Sequence, residues 1–265
     1  MLKNIQNSRR WKTMEINGKN IALLIDAENI SPNYIELIID EANKHGKINY
    51  RRISGHWTTE KLSSWKNKIN EFGLTPIQQY AYTSSGKNVS DFTLIIDAMD
   101  ILYNGKVDSF CIVSSDSDFT KLVTRLREDN MFVFGMGESK TPIALVNSCE
   151  TFSYLDKMYE SQKPEPKKTP NKKKVVKNDK PETSITPLKK IKQELKQIIE
   201  SNVEDDGYAY WSVVAQLLQK KFPGFHPRNY GQNVSPLTFF EGMKEFEIKK
   251  LKTVIHIRNN TNQTL

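Results

Sequence analysis

Between residues 20 and 156 the chain alternates short apolar runs with longer stretches in which apolar residues recur every third or fourth position. Runs of the first kind suit buried strands, and stretches of the second kind suit helices with one buried face. Residues 20–25, NIALLI, open the series as a strand, and 31–46 follow as a helix with Ser31 as N-cap, Pro32 in the first turn and Gly46 as its end. Residues 48–54 form the next strand. A helix starting near Thr58 and Thr59 then carries Leu62, Trp65 and Ile69 along one face. The extended run 74–82 contains Pro76, which lacks the N–H a central strand needs, so it begins late or lies at an edge. A helix capped by Ser90 runs to about residue 105, 107–113 is a strand and 119–129 a helix. Residues 131–137 are a strand, 141–150 a short helix and 151–155 a last strand. Six strands alternating with five helices predict an α/β fold: an open, mainly parallel sheet with helices on both faces.

The pattern stops at about residue 158. Residues 161–181 hold eight lysines against one glutamate and one aspartate, with several prolines. Such a segment cannot bury a core and reads as a basic tether. Periodicity returns with Leu188, Ile191, Leu195 and Ile198, followed by two more helical stretches and a hairpin pattern over 246–258. Three helices and a hairpin predict a small winged-helix domain. The expected organisation is an N-terminal extension (1–17), an α/β domain (18–158), a linker (159–186), a winged helix (187–258) and a tail (259–265).

Composition narrows the picture. Of the formal net charge of +8, the tether alone carries +6, so the folded parts are close to neutral. No run of apolar residues is long enough to span a bilayer. The basic N-terminal residues have no apolar core or small-residue cleavage site behind them. A cytoplasmic location without membrane association is expected. Cys111 and Cys149 fall in apolar patterns and read as reduced core thiols, and the four histidines are too scattered for a zinc site.

In an open parallel sheet, ligands bind beyond the carboxyl ends of the strands. Asp26 ends the first strand, Asp91 opens the helix after the third, and Asp116 and Asp118 follow the fourth. All four should therefore gather at one edge. One aspartate after a strand is ordinarily a helix cap worth ~1 kcal/mol. The second of the pair Asp116 and Asp118 has no capping work left. Two carboxylates ~5 Å apart repel by roughly 3 kcal/mol at an effective dielectric of 20, so four together call for a cation. An all-oxygen donor set suits Mg²⁺ or Mn²⁺, and the chemistry such an ion supports is phosphodiester hydrolysis. Asn29 either orients Asp26 or shapes a turn. No glycine-rich dinucleotide or nucleotide loop, and no Gly-x-Ser-x-Gly elbow, is present.

IALLIDAEN, GKNVSDFTLIIDAMD, CIVSSDSDF and GESKTP, in this order, resemble the NYN domain, specifically its LabA-like (DUF88) group, which has a PIN-like nuclease fold. The resemblance spans roughly 18–156. It implies a Mg²⁺- or Mn²⁺-dependent endoribonuclease with acidic positions at Asp26, Asp91, Asp116 and Asp118. KNVSD replaces the more usual Lys-Gly-x-Asp lead-in to Asp91, and Lys87 is either a phosphate contact or a surface lysine. Trp57, Tyr80 and Tyr82 are candidates for base stacking or packing. Over roughly 187–258 the HPRNYG stretch and the acidic-Gly turn before the second helix resemble the OST-HTH (LOTUS) domain, which implies binding of RNA or of a protein partner. Arg228, Asn229 and Tyr230 carry that resemblance, and a turn that locks the third helix is their other reading. The expected function is a metal-dependent endoribonuclease acting on RNA. A non-catalytic RNA-binding adaptor and a small-molecule phosphatase are the alternatives, and a homo-oligomer or a protein partner through the second domain stays open.

Overall fold

The computed structural model of the protein describes residues 19–78, 89–162, 185–251 and 254–260. The first domain is built on six parallel strands: β1 (Asn20–Asp26), β2 (Lys47–Gly55), β3 (Thr75–Gln78), β4 (Ser109–Val113), β5 (Phe132–Gly137) and β6 (Thr151–Tyr154). Their order across the sheet is β3-β2-β1-β4-β5-β6. Pro76 lies in β3, an edge strand, where its missing N–H costs little. The order reverses direction between β1 and β4, which are adjacent and parallel.

Alternation along the central strands sorts side chains onto two faces. Ala22 and Leu24 of β1 and Phe110 and Ile112 of β4 face one core, together with Leu94 and Ala98 of α3 (Val89–Tyr103), Leu122 and Leu126 of α4 (Thr120–Glu128) and Leu145 of α5 (Ile143–Ser148). Ile21, Leu23 and Ile25, with Cys111 and Val113, face the other. There they pack against Ile35 and Ile38 of α1 (Ile35–Asn43), Trp65 of α2 (Trp65–Glu71) and Leu155 of α6 (Leu155–Gln162). Both cysteines are buried and unpaired, and burial pushes the Cys149 thiol up to about 12, so they remain protonated core residues.

Several elements differ from expectation. Ser31 caps a 3-10 turn, Pro32–Tyr34, which passes into α1. The helix expected from Thr58 is a 3-10 turn, Glu60–Leu62, followed by the short α2. The helix α3 already includes Val89, so Ser90 lies inside it rather than at its cap. The helix α6 extends into the stretch assigned to the linker.

The second domain contains α7 (Leu188–Glu200), β7 (Ala209–Tyr210), α8 (Trp211–Lys221), α9 (Pro236–Glu241), β8 (Phe246–Leu251) and β9 (Val254–Asn259). Its three strands form an antiparallel sheet in the order β7-β9-β8. Ile191, Leu195 and Ile199 present one face of α7 to a core that includes Phe225, Phe239, Phe240 and Ile257. Pro236 occupies the first turn of α9 behind the Ser235 cap, as a helix start allows.

Candidate active site

The next positions in the alternation of β1 and β4 are Asp26 and Ser114. Ile25 and Val113 are in register, so these two residues meet on the face that α3 covers. The Ser114 hydroxyl donates to Asp26 Oδ2 at 2.8 Å, with both residues buried. Asn29 Nδ2 donates to the same oxygen at 2.7 Å, and the Glu28 amide to Oδ1 at 3.1 Å. Burial raises the Asp26 pKa and these three donors act against it. Ser114 Oγ in turn accepts the Asp116 amide at 3.0 Å, which ties the loop after β4 to the end of β1.

Asp116 caps the 3-10 turn Ser117–Phe119 by accepting the Asp118 amide on Oδ1 at 3.0 Å. Asp91, in the first turn of α3, comes in over the same edge. One carboxylate oxygen from each of Asp91, Asp116 and Asp118 lies within 4.8 Å of the others. Asp91 is buried, Asp116 half-buried and Asp118 exposed, so the cluster opens to solvent on one side. Burial raises the Asp91 pKa to about 6, helped by the charges of Asp26, Asp116 and Asp118. Among the described residues none of the three pairs with a lysine or arginine. An all-carboxylate set has the donor chemistry of a divalent-cation site. Asp26 stands outside this triad, engaged with its three protein donors.

The GESKTP stretch buttresses the same edge. Ser115 Oγ accepts the Glu138 amide at 2.9 Å, Thr141 Oγ1 donates to the Glu138 carbonyl at 2.6 Å, and the Ser139 amide donates to Asp156 Oδ1 at 3.0 Å. Gly137 lies so close to the loop after β4 that a Cβ there would be 2.6 Å from the Ser114 carbonyl. Beside the Asp26 loop a cleft of about 570 Å³ opens, lined by Glu28, Asn29, His56, Lys61 and Trp65. Trp57 is half-buried and held by the fold. Its indole donates to the Ile77 carbonyl at 3.0 Å, and it lies against the second face's core. Lys87, Tyr80 and Tyr82 lie outside the described residues.

The other proposed contacts lie in the second domain. Arg228, Asn229 and Tyr230 form the 3-10 turn Pro227–Tyr230, which Gly231 closes with φ 79°. Asn229 Nδ2 donates to the Gly224 carbonyl at 2.7 Å, and the Tyr230 hydroxyl to the Thr186 carbonyl at 2.7 Å. Arg228 Nη1 lies 3.9 Å from Glu41 of the first domain. Ser114 and Gly137, which sequence reasoning gave no role at the site, hold it together. In the sequence Ser114 stands two residues before Asp116 and Gly137 opens the GESKTP stretch, but their part at the site depends on strand register.

The first domain is a parallel α/β sheet with a carboxylate triad at its switch point. Residues 20–156 match the family model of the NYN domain, and the chain belongs to the NYN family. Residues 186–254 match the OST-HTH/LOTUS domain. NYN domains are nucleases and OST-HTH/LOTUS domains bind RNA, so the chain joins a nuclease-type domain to an RNA-associated one. No curated protein matches the chain. Among solved structures, a protein of unknown function from Vibrio parahaemolyticus RIMD 2210633 is similar at 20% identity, covering 51% of this chain and 92% of its own, with a TM-score of 0.43. Among the described residues no helix is long and apolar enough to cross a membrane.

Proposed function

We propose that the protein is a Mg²⁺- or Mn²⁺-dependent endoribonuclease whose second domain contributes to RNA binding. The observation that carries this reading is the gathering of Asp91, Asp116 and Asp118 within 4.8 Å at the carboxyl edge of the sheet. These three residues would hold the ion, and when bound it supplies Lewis-acid activation of water and of the phosphoryl oxygens. Asp26 acts as the positioning carboxylate: through Ser114 it fixes the amide of Asp116 and hence the direction of that side chain. The Asp118 amide takes up one Asp116 oxygen, which leaves Oδ2 available to a ligand. Asn29 holds Asp26 in turn.

The test is cleavage of an end-labelled single-stranded RNA with Mn²⁺, with Mg²⁺ and with EDTA, run beside Asp116→Asn. Cleavage that requires the metal and vanishes in the variant is expected. Intact RNA in every lane, from a protein that still shifts that RNA on a gel, would replace this reading with a non-catalytic RNA-binding adaptor. Faster turnover of a free nucleotide phosphate than of RNA would replace it with a phosphatase.

A further inference from the structure

The HPRNYG loop lies where the two domains meet. Among the described residues, strand β6 ends the sheet and has only β5 as a strand neighbour. An edge strand offers unpaired amides and carbonyls to any passing strand, and proteins commonly cover such edges. Here the Phe152 amide in β6 donates to the Pro223 carbonyl of the second domain at 2.9 Å. The next residue, Gly224, lies against the first domain so closely that a Cβ would be 2.9 Å from the Tyr154 hydroxyl and 3.1 Å from Val146. Tyr154 is buried and cannot readily retreat. Ile185, just ahead of α7, packs against the first domain's core.

The residues that carry the OST-HTH resemblance shape this junction. Asn229 grips the Gly224 carbonyl, which fixes the turn that presents Pro223 and Gly224 to β6. Tyr230 packs between Phe225 and Phe239 and anchors the Thr186 carbonyl with its hydroxyl. Arg228 is the charged member, facing Glu41 on α1.

We infer that the loop from Pro223 to Gly231 is a docking element for the chain's own NYN domain, and that it holds the second domain on the β6 edge as a fixed extension of the sheet. The RNA-facing surface of the second domain is then a different face. This inference concerns how the domains associate and stands whether or not the acidic edge cleaves RNA. Because both partners are on one chain, a modest interface suffices to keep them together.

Amide hydrogen exchange on the full-length chain tests it. The Phe152 amide should be protected in the wild type. It should lose that protection in Gly224→Val, while the amides of Leu24 in β1 and Ile257 in β9 stay protected, showing both domains folded. Glu41→Lys should weaken Phe152 protection, and adding Arg228→Glu, which exchanges the two charges, should restore it. A Phe152 amide that exchanges equally fast in wild type and Gly224→Val would overturn the proposal. A second readout separates the RNA assignment of the loop. Arg228→Ala should leave the salt dependence of RNA binding unchanged, whereas a slope reduced by about 1 would assign Arg228 to a phosphate and overturn the docking role.

Discussion

At the scale of single residues, the arrangement of the acidic edge depends on Ser114. Its hydroxyl donates to the buried Asp26 carboxylate and accepts the Asp116 amide, so one side chain connects the ends of β1 and β4. Ser114→Ala would leave a buried carboxylate short of a donor, which costs ~1–3 kcal/mol, read as a lower denaturant midpoint. It would also loosen Asp116, and loss of an outer-shell partner of this kind typically lowers metal affinity or activity ~10–100-fold. A Mn²⁺ titration of RNA cleavage checks the second effect: the variant should need more metal for the same rate, and an unchanged titration would make Ser114 purely structural. The aspartates themselves stood out in the sequence because all four lie at strand-to-helix connections and the pair Asp116 and Asp118 has capping work for only one. What could not be read is the division between them. Asp26 is engaged by three protein donors while the other three form the triad, and that distinction rests on register and burial rather than on residue type.

At the scale of elements, the loop after β4 is shaped by the strand beside it. Gly137 ends β5, and a Cβ there would meet the Ser114 carbonyl and Thr141 Oγ1, both at 2.6 Å. Gly137→Ala should therefore destabilise by ~1–3 kcal/mol through overpacking and should displace the segment that carries Asp116 and Asp118. Gly242→Ala is the matched control. Its Cβ would be 3.8 Å from the nearest atoms and its φ is −74°, so the change should stay within ~0.5 kcal/mol. Chemical denaturation of the two variants decides the matter, and equal midpoints would refute the close-packing argument. The strands of this sheet could be recognised in advance because central parallel strands are continuous apolar runs. The helix α6 could not, because Leu155 starts it directly after Tyr154 ends β6, with no turn residues to announce it. The two-residue β7 is too short to show a period and exists only because β9 pairs with it.

At the scale of the whole molecule, the junction between the domains encloses a titratable group. His226 precedes the Pro227–Tyr230 turn and accepts the Arg228 amide on Nδ1 at 3.2 Å. Burial lowers its pKa from 6.5 to about 4, reinforced by Arg228 and Lys44 and opposed by Glu41. A protonated ring could not accept at Nδ1, so the folded state requires the neutral form. Between pH 6.5 and about 4 the unfolded chain binds a proton on His226 that the folded chain does not. The stability contributed there is therefore fully present above pH 6.5 and falls as the pH falls through that window. His226→Asn removes the titration and puts an amide oxygen, an acceptor favoured at helix N-termini, in place of the accepting ring nitrogen. The midpoint of chemical denaturation should be less steeply pH-dependent in His226→Asn than in the wild type across this window. The two should run parallel above it. Protection of the Phe152 amide, measured over the same range, should decline with pH in the wild type and less in the variant, because the turn that His226 caps carries Arg228 to Glu41. Identical pH profiles for the two proteins would mean that His226 titrates normally in the fold and that other groups set the acid sensitivity of the junction.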